Sequence, residues 1–178
     1  MELFSAIIGG DLVATKSNMN NFVNGDINKI VDKRIIDELN SVDFRLFNLE
    51  VPLTDKVEPI IKLGPNLIAS TNAIQGIKKL NPSLLCIANN HIMDQGEQGL
   101  FSTINLLDQY NIDYVGAGEN LTKAYKPYII EKAGKRIGIY ACAEHEFTIA
   151  TDEKAGANPF DSLESLDHIY NLKQKCDY

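Results

Sequence analysis

The chain predicts an α/β fold built on a largely parallel sheet, and three observations carry that prediction. Short apolar runs at 3–8, 44–47 and 84–88 have the length and composition of strands buried in a layered core. Segments of helical periodicity separate them. Each run also ends in a polar cluster, Gly9-Gly10-Asp11, Asn48-Leu49-Glu50 and Asn89-Asn90-His91, and open α/β sheets build their sites at the carboxyl ends of strands.

After the first strand, Ile27, Ile30, Val31, Ile35, Ile36 and Leu39 recur at the spacing of a helix over 27–39 that buries one face against the sheet. A loop follows the second strand from Val51-Pro52 through Gly64-Pro65-Asn66. Thr71 is placed to cap a short helix carrying Ile74, Ile77 and Leu80. Pro82 opens the third strand. Leu100, Ile104 and Leu107 mark a helix over 96–110, leading to a short strand at Tyr114-Val115 and a turn at Gly116-Ala117-Gly118. The runs 127–131 and 136–141 flank Lys132-Ala133-Gly134-Lys135 as the arms of a β-hairpin, which makes a mixed sheet the expectation. A last amphipathic helix is expected over 162–175, with Asp161 or Ser162 as its cap. No strand follows that helix, so the expectation is one domain over 1–178, truncated at its C-terminal end.

Composition narrows the function. With 178 residues, 44% of them hydrophobic and 23% charged, the chain can bury a sizeable core. A formal net charge of -7 and a pI near 4.9 leave no basic stripe to neutralise phosphates, which argues against a nucleic-acid partner. No apolar run is long enough for a membrane span, and no basic segment precedes the first strand as in a secretory signal, so the expected location is cytoplasmic. Cys86, Cys142 and Cys176 have neither zinc-ribbon nor redox-pair spacing and read as buried free thiols.

The polar clusters carry the chemistry. Asp11 follows two glycines that let the backbone turn and an ion approach, although Asp after Gly-Gly is by itself an ordinary turn residue. Glu50 at a buried strand end must be paired, protonated or metal-bound, and a nearby Lys or Arg is the bland partner. Asn90 offers a neutral oxygen to a cation, while His91 can ligate or transfer a proton, or simply hydrogen-bond. Asp94 reads as a cap for the following helix. If the three runs are neighbouring parallel strands, Asp11, Glu50, Asn90 and His91 meet at one sheet edge from positions roughly forty residues apart, about one βαβ repeat each. Glu144-His145-Glu146 forms a second cluster, read as a solvated loop with the option of completing a metal shell. A nucleotide-binding Rossmann domain is disfavoured, because no glycine-rich loop joins the first strand to a helix.

Gly10-Asp11-Leu12, Asn48-Leu49-Glu50, Ala88-Asn89-Asn90-His91 with Asp94 and Gly96, and Gly116-Ala117-Gly118 occur in the order of the bacterial poly-γ-glutamate capsule biosynthesis proteins. The chain resembles the N-terminal part of these CapA-like proteins, which are themselves similar to calcineurin-like metallophosphoesterases. That resemblance implies a metallophosphoesterase-like mixed-sheet sandwich with helices on both faces. It implies divalent metal, with Mn, Zn or Fe as candidates, held by Asp11, Glu50 and Asn90, and His91 as proton donor or phosphate contact. It further implies a cell-surface polymer or a phosphorylated small molecule as partner, and a place at the outer face of the cytoplasmic membrane for family members. Later histidines that would close the metal site have no counterpart here. A homo-oligomer paired through a free sheet edge, and a non-catalytic binding or assembly module that keeps the fold, are the accompanying expectations.

Overall fold

A computed structural model describes residues 3–145 and 148–178. Its centre is a four-stranded sheet, β1 (Ala6–Leu12), β2 (Phe44–Leu49), β3 (Leu84–Cys86) and β4 (Tyr114–Val115), ordered 1-2-3-4 with every neighbouring pair parallel. Side chains alternate between its faces, as strand geometry requires. Leu49, Leu85 and Ile87 join the larger core, whereas Phe44, Leu84 and Val115 form a smaller one. Both faces are therefore covered at the centre of the sheet, which is why its strands read as uninterrupted apolar runs.

The connections lie mainly on the larger core. Helix α1 (Met19–Asn24) was not foreseen; it buries Phe22. The single helix expected over 27–39 is instead a 3₁₀ turn, Ile27–Lys29, followed by α2 (Lys33–Ser41). Asp32 separates them, because its carboxylate accepts from Arg34 N and starts a new helix there. The segment after Ser70 is a 3₁₀ turn at Thr71–Ala73 that runs into α3 (Ile74–Ile77), and Ser70 rather than Thr71 supplies the capping oxygen. Next comes α4 (Gly96–Gln109), which places Leu100 and Leu107 in the core.

Antiparallel pairing is confined to two small sheets. The expected turn at Gly116-Ala117-Gly118 contains β5 (Ala117–Gly118), which is followed by α5 (Leu121–Ala124) and, later in the chain, pairs with β8 (Gly156–Ala157). Between them, β6 (Tyr128–Lys132) and β7 (Lys135–Ile139) make the expected hairpin as a sheet of its own, not as part of the parallel one. Tyr128, Ile130 and Ile139 of this hairpin cover the smaller core. Gly116 has φ +96, and a Cβ there would lie 2.5 Å from Ala88 Cβ, so only glycine lets the chain leave β4 so close to β3.

The last helix is α6 (Glu164–Lys173), whose N-cap position is Leu163 without a side-chain cap, in place of the expected Asp161 or Ser162; Asp161 instead accepts from Leu163 N and Glu164 N in the turn that leads into it. Leu172 packs against Gly138 of the hairpin. Leu163, Leu166, Ile169 and Tyr170 remain exposed, so most of the periodic apolar stripe that identified the helix faces solvent. The three cysteines are unpaired and half-buried. No helix among the described residues is long and apolar enough to cross a membrane.

Candidate functional site at the strand ends

The register of the parallel sheet brings the three polar clusters together. Gly9 and Gly10 sit at an irregularity in β1, where Ile8 pairs with Leu46 but Asp11, three residues on, pairs with Asn48. The extra residue is a bulge, and it sets Asp11 beside Asn48 at the carboxyl end of the strand. Asp11 thus lies within β1 and not in a turn after it. Asn48 in turn pairs with Cys86 of β3, four residues before Asn90.

Side-chain hydrogen bonds continue across the strands. Asn48 Nδ2 donates to Asp11 Oδ1 at 2.8 Å, and Asn89 Nδ2 donates to Asn48 Oδ1 at 3.1 Å and to Leu49 O at 2.9 Å. Asn89 Oδ1 accepts from His91 N at 3.0 Å. Buried Asn89 therefore spends its amide on tying the third strand end to the second, which anchors the turn that carries Asn90 and His91.

Glu50 is half-buried beside Asp11. Burial raises its carboxyl above the ordinary glutamate range, and the negative charge and hydrogen bonding of Asp11 raise it further; His91 opposes the shift and Asp94 adds to it. Glu50 forms no salt bridge among the described residues, so the bland Lys or Arg partner is absent there. Two carboxylates thus share one strand-end corner with an imidazole close by. Asn90 is exposed, and its side-chain amide takes no hydrogen bond among the described residues.

His91 is held from behind. Its Nδ1 lies 2.6 Å from Asp94 Oδ2, which also accepts from Leu67 N at 2.6 Å, while Lys62 forms an ion pair with Asp94 Oδ1. The Asp94 side chain is wholly buried. This corrects the reading of Asp94 as a helix cap: α4 begins after Gln95 without a side-chain cap, and the carboxylate points back at the histidine. A buried carboxylate needs pairing, and here Oδ2 accepts from the imidazole and a backbone N–H, while Oδ1 has the Lys62 ammonium as ion-pair partner and no hydrogen bond among the described residues. Nε2 of His91 has no hydrogen-bond partner among the described residues, which leaves it free for a ligand.

Sequence reasoning missed Lys62, and it placed Asn48 and Asn89 in the polar clusters without giving them a role. For the two asparagines the signal was present, because amides beside a carboxylate at successive strand ends are natural cross-links. The sign for Lys62 was weaker, a single cation in Ile60-Ile61-Lys62-Leu63. Of the second predicted cluster, Glu144 and His145 are exposed, and Glu146 lies outside the described residues. A cavity of about 550 Å³ runs along the outer edge of β4 between Ile104, Tyr114, Lys126 and Tyr128, and none of Asp11, Glu50, Asn90 and His91 lines it.

The donor chemistry can be tested against the implied metal. Asp11, Glu50 and Asn90 supply two carboxylates and an amide, all oxygen donors of the kind that suit a hard divalent cation such as Mn²⁺. Crowding of Asp11 against Glu50 is the electrostatic situation that a cation relieves. The donor types suit such an ion, while no group of three or more His, Cys, Asp or Glu side chains poised to hold one is found among the described residues.

Comparison with known proteins shows the family. The model of the family described as bacterial capsule synthesis protein PGA_cap matches residues 5–176. The capsule biosynthesis protein CapA of Bacillus anthracis is 38% identical over 55 residues, 31% of this chain and 13% of that protein. The PGA biosynthesis protein CapA of Bacillus subtilis is 36% identical over 67 residues, covering 38% of this chain and 18% of the relative. An uncharacterized protein of Sinorhizobium fredii, y4sH, is 25% identical over 145 residues, 79% of this chain and 30% of its own length. The chain thus spans less than a third of the length of these curated relatives.

Proposed function

The chain belongs to the bacterial capsule synthesis protein family PGA_cap, and from that membership and the strand-end geometry we propose that it carries a divalent-metal site of phosphoesterase type, serving the making or handling of a cell-surface polymer. The observation that carries this reading is the Asp11–Glu50 pair, two carboxylates held together without a basic partner and within the field of a histidine oriented by Asp94. Asp11, Glu50 and Asn90 would hold the ion. When bound, such an ion would polarise a phosphoryl oxygen.

The remaining work falls to this chain's own side chains. Asn48 fixes Asp11 Oδ1, so that carboxylate presents its other oxygen outward. Asn89 holds the main chain of His91, and Asp94 Oδ2 accepts from its Nδ1–H. Nε2 is then the nitrogen left for a substrate: with a proton on each ring nitrogen it can give one to a leaving oxygen, and without its own it can accept one.

Calorimetric titration with Mn²⁺ and Zn²⁺, repeated on Glu50→Ala, tests the metal site. Turnover of bis(p-nitrophenyl) phosphate by the loaded chain tests the chemistry, and His91→Ala should lower it by roughly 10²–10⁴-fold. Absence of binding in the wild type would end the proposal. Binding without turnover would favour an assembly module, a reading supported by the exposed stripe of Leu163, Leu166 and Tyr170 on α6.

A further inference from the structure

Lys62 occupies an unusual place. The stretch 60–63 sends Ile61 and Leu63 into solvent, at 103% and 88% exposure, and turns the lysine between them inward until its side chain keeps 3%. Hydrophobicity alone would give the reverse arrangement. The inward turn has to be compensated by polar partners, and all of those found belong to the turn that carries the site. They are Asp94 Oδ1, and Asn90 O at 3.4 Å; His91 Nδ1, whose proton goes to Asp94, lies 3.3 Å away. Neighbouring bonds keep this stretch in place: Ile60 N donates to Asp94 O at 3.1 Å, and Asn66 Nδ2 donates to Ile60 O at 3.0 Å.

The two oxygens of Asp94 have different partners. Lys62 forms the ion pair with Oδ1, and Oδ2 accepts from His91 Nδ1 and Leu67 N. We propose that Lys62 is a positioning residue for His91: it supplies the countercharge to Asp94, so that Asp94 Oδ2 holds the Nδ1–H of His91 and the ring offers Nε2 to the Asp11–Glu50 corner. Its contact with Asn90 O ties the backbone of a proposed metal ligand to the same ammonium. The catalytic consequence rests on the proposed phosphoesterase site, whereas the geometry does not.

The test has one arm that is independent of catalysis. In the ¹⁵N-labelled, metal-free chain, the Lys62 ammonium should give a slowly exchanging NMR signal with cross-relaxation to the His91 ring, and the Nδ1–H of His91 should be protected from exchange. Lys62→Met should abolish that Nδ1–H protection, and Lys62→Arg should keep it. In the second arm, with Mn²⁺ and bis(p-nitrophenyl) phosphate, Lys62→Met should lower kcat by roughly 10–100-fold, as loss of an outer-shell partner does, and leave KM unchanged. A Lys62→Met chain with the protected Nδ1–H retained and kcat within about twofold of wild type would make Lys62 a structural counter-ion and overturn the proposal. Should Lys62→Met not fold, the wild-type exchange measurement decides, because a Lys62 ammonium exchanging as fast as those of surface lysines overturns the proposal on its own. A wild-type chain that turns over no phosphoester defeats the function proposed above while leaving the NMR arm to judge Lys62.

Discussion

The two sides of the strand-end cluster are built on opposite principles. In the 89–95 turn, Asn89 makes bonds from both ends of its amide, and the wholly buried Asp94 side chain accepts two hydrogen bonds and pairs with the Lys62 ammonium. At the Asp11–Glu50 edge, two carboxylates face each other near solvent, and only Asn48 Nδ2 steadies them. One side is complete in itself. The other carries an electrostatic cost that the fold leaves in place, as polar sites prepared for a ligand commonly do. The contrast separates the residues that hold the site from those proposed to receive the ion.

The sharpest way to break this contrast is to remove one carboxylate from each side. Asp94→Ala leaves the Lys62 ammonium buried without its counter-ion and the Leu67 N–H without its acceptor. The expected loss is about 3–5 kcal/mol in urea unfolding, the range for breaking a buried pair. Asp11→Ala, at an exposed position, should change metal-free stability by no more than about 0.5 kcal/mol. Equal losses would mean that the two sides do not differ as described. A smaller effect is expected at Asn89, where alanine strands Leu49 O and His91 N; about 1–3 kcal/mol should be lost in the same measurement.

The open edge should respond to a ligand where the closed turn does not. If Asp11 and Glu50 hold a divalent ion, Mn²⁺ at 100 times its dissociation constant adds about 2.7 kcal/mol of stability. Thermal melts should show that gain in the wild type and lose most of it in Glu50→Gln. A gain of equal size in both chains would place the ion elsewhere.

The same contrast explains what could be read from the sequence. Strands β2, β3 and β4 were legible because burial on both faces leaves an apolar run, and Asp11, Glu50 and His91 were legible because each ends such a run. The hairpin was legible from Ala133-Gly134 between two β-rich segments. Lys62 could not be placed, since an irregular loop has no period to tell inward from outward, and its direction depends on Asp94, 32 positions later. Asp94 itself misled, because Asp just before a helix is ordinarily a cap. Ser70 and Asp32 shifted helix starts for the same local reason, a capping oxygen one residue or more from the expected position. Two-residue strands such as β5 and β8 carry no pattern of their own and exist only as partners. Ile8, 77% exposed in β1, shows the remaining limit, because an apolar run does not say how much of the outermost strand is covered.

The smallest expected effect concerns the charge of Glu50 in the metal-free chain. Its carboxyl is raised above the ordinary glutamate value of 4.5, burial being the larger cause and Asp11 the next, so the folded chain holds this proton more tightly than the unfolded chain does. By linkage, the stability associated with that proton is fully present below the unfolded value and is lost as pH rises through the folded one. Glu50→Gln is neutral at every pH and never loses it. Wild type and variant should therefore melt together at pH 4 or below, and the variant should pull ahead as the pH is raised toward 7. Melts in the presence of a chelator measure this lead, and the difference between the two chains cancels the other groups that titrate over the same range. Were the wild type to gain on the variant as the pH rises, Glu50 would be paired with a cation supplied by the chain itself, and the open edge would be as complete as the turn beside it.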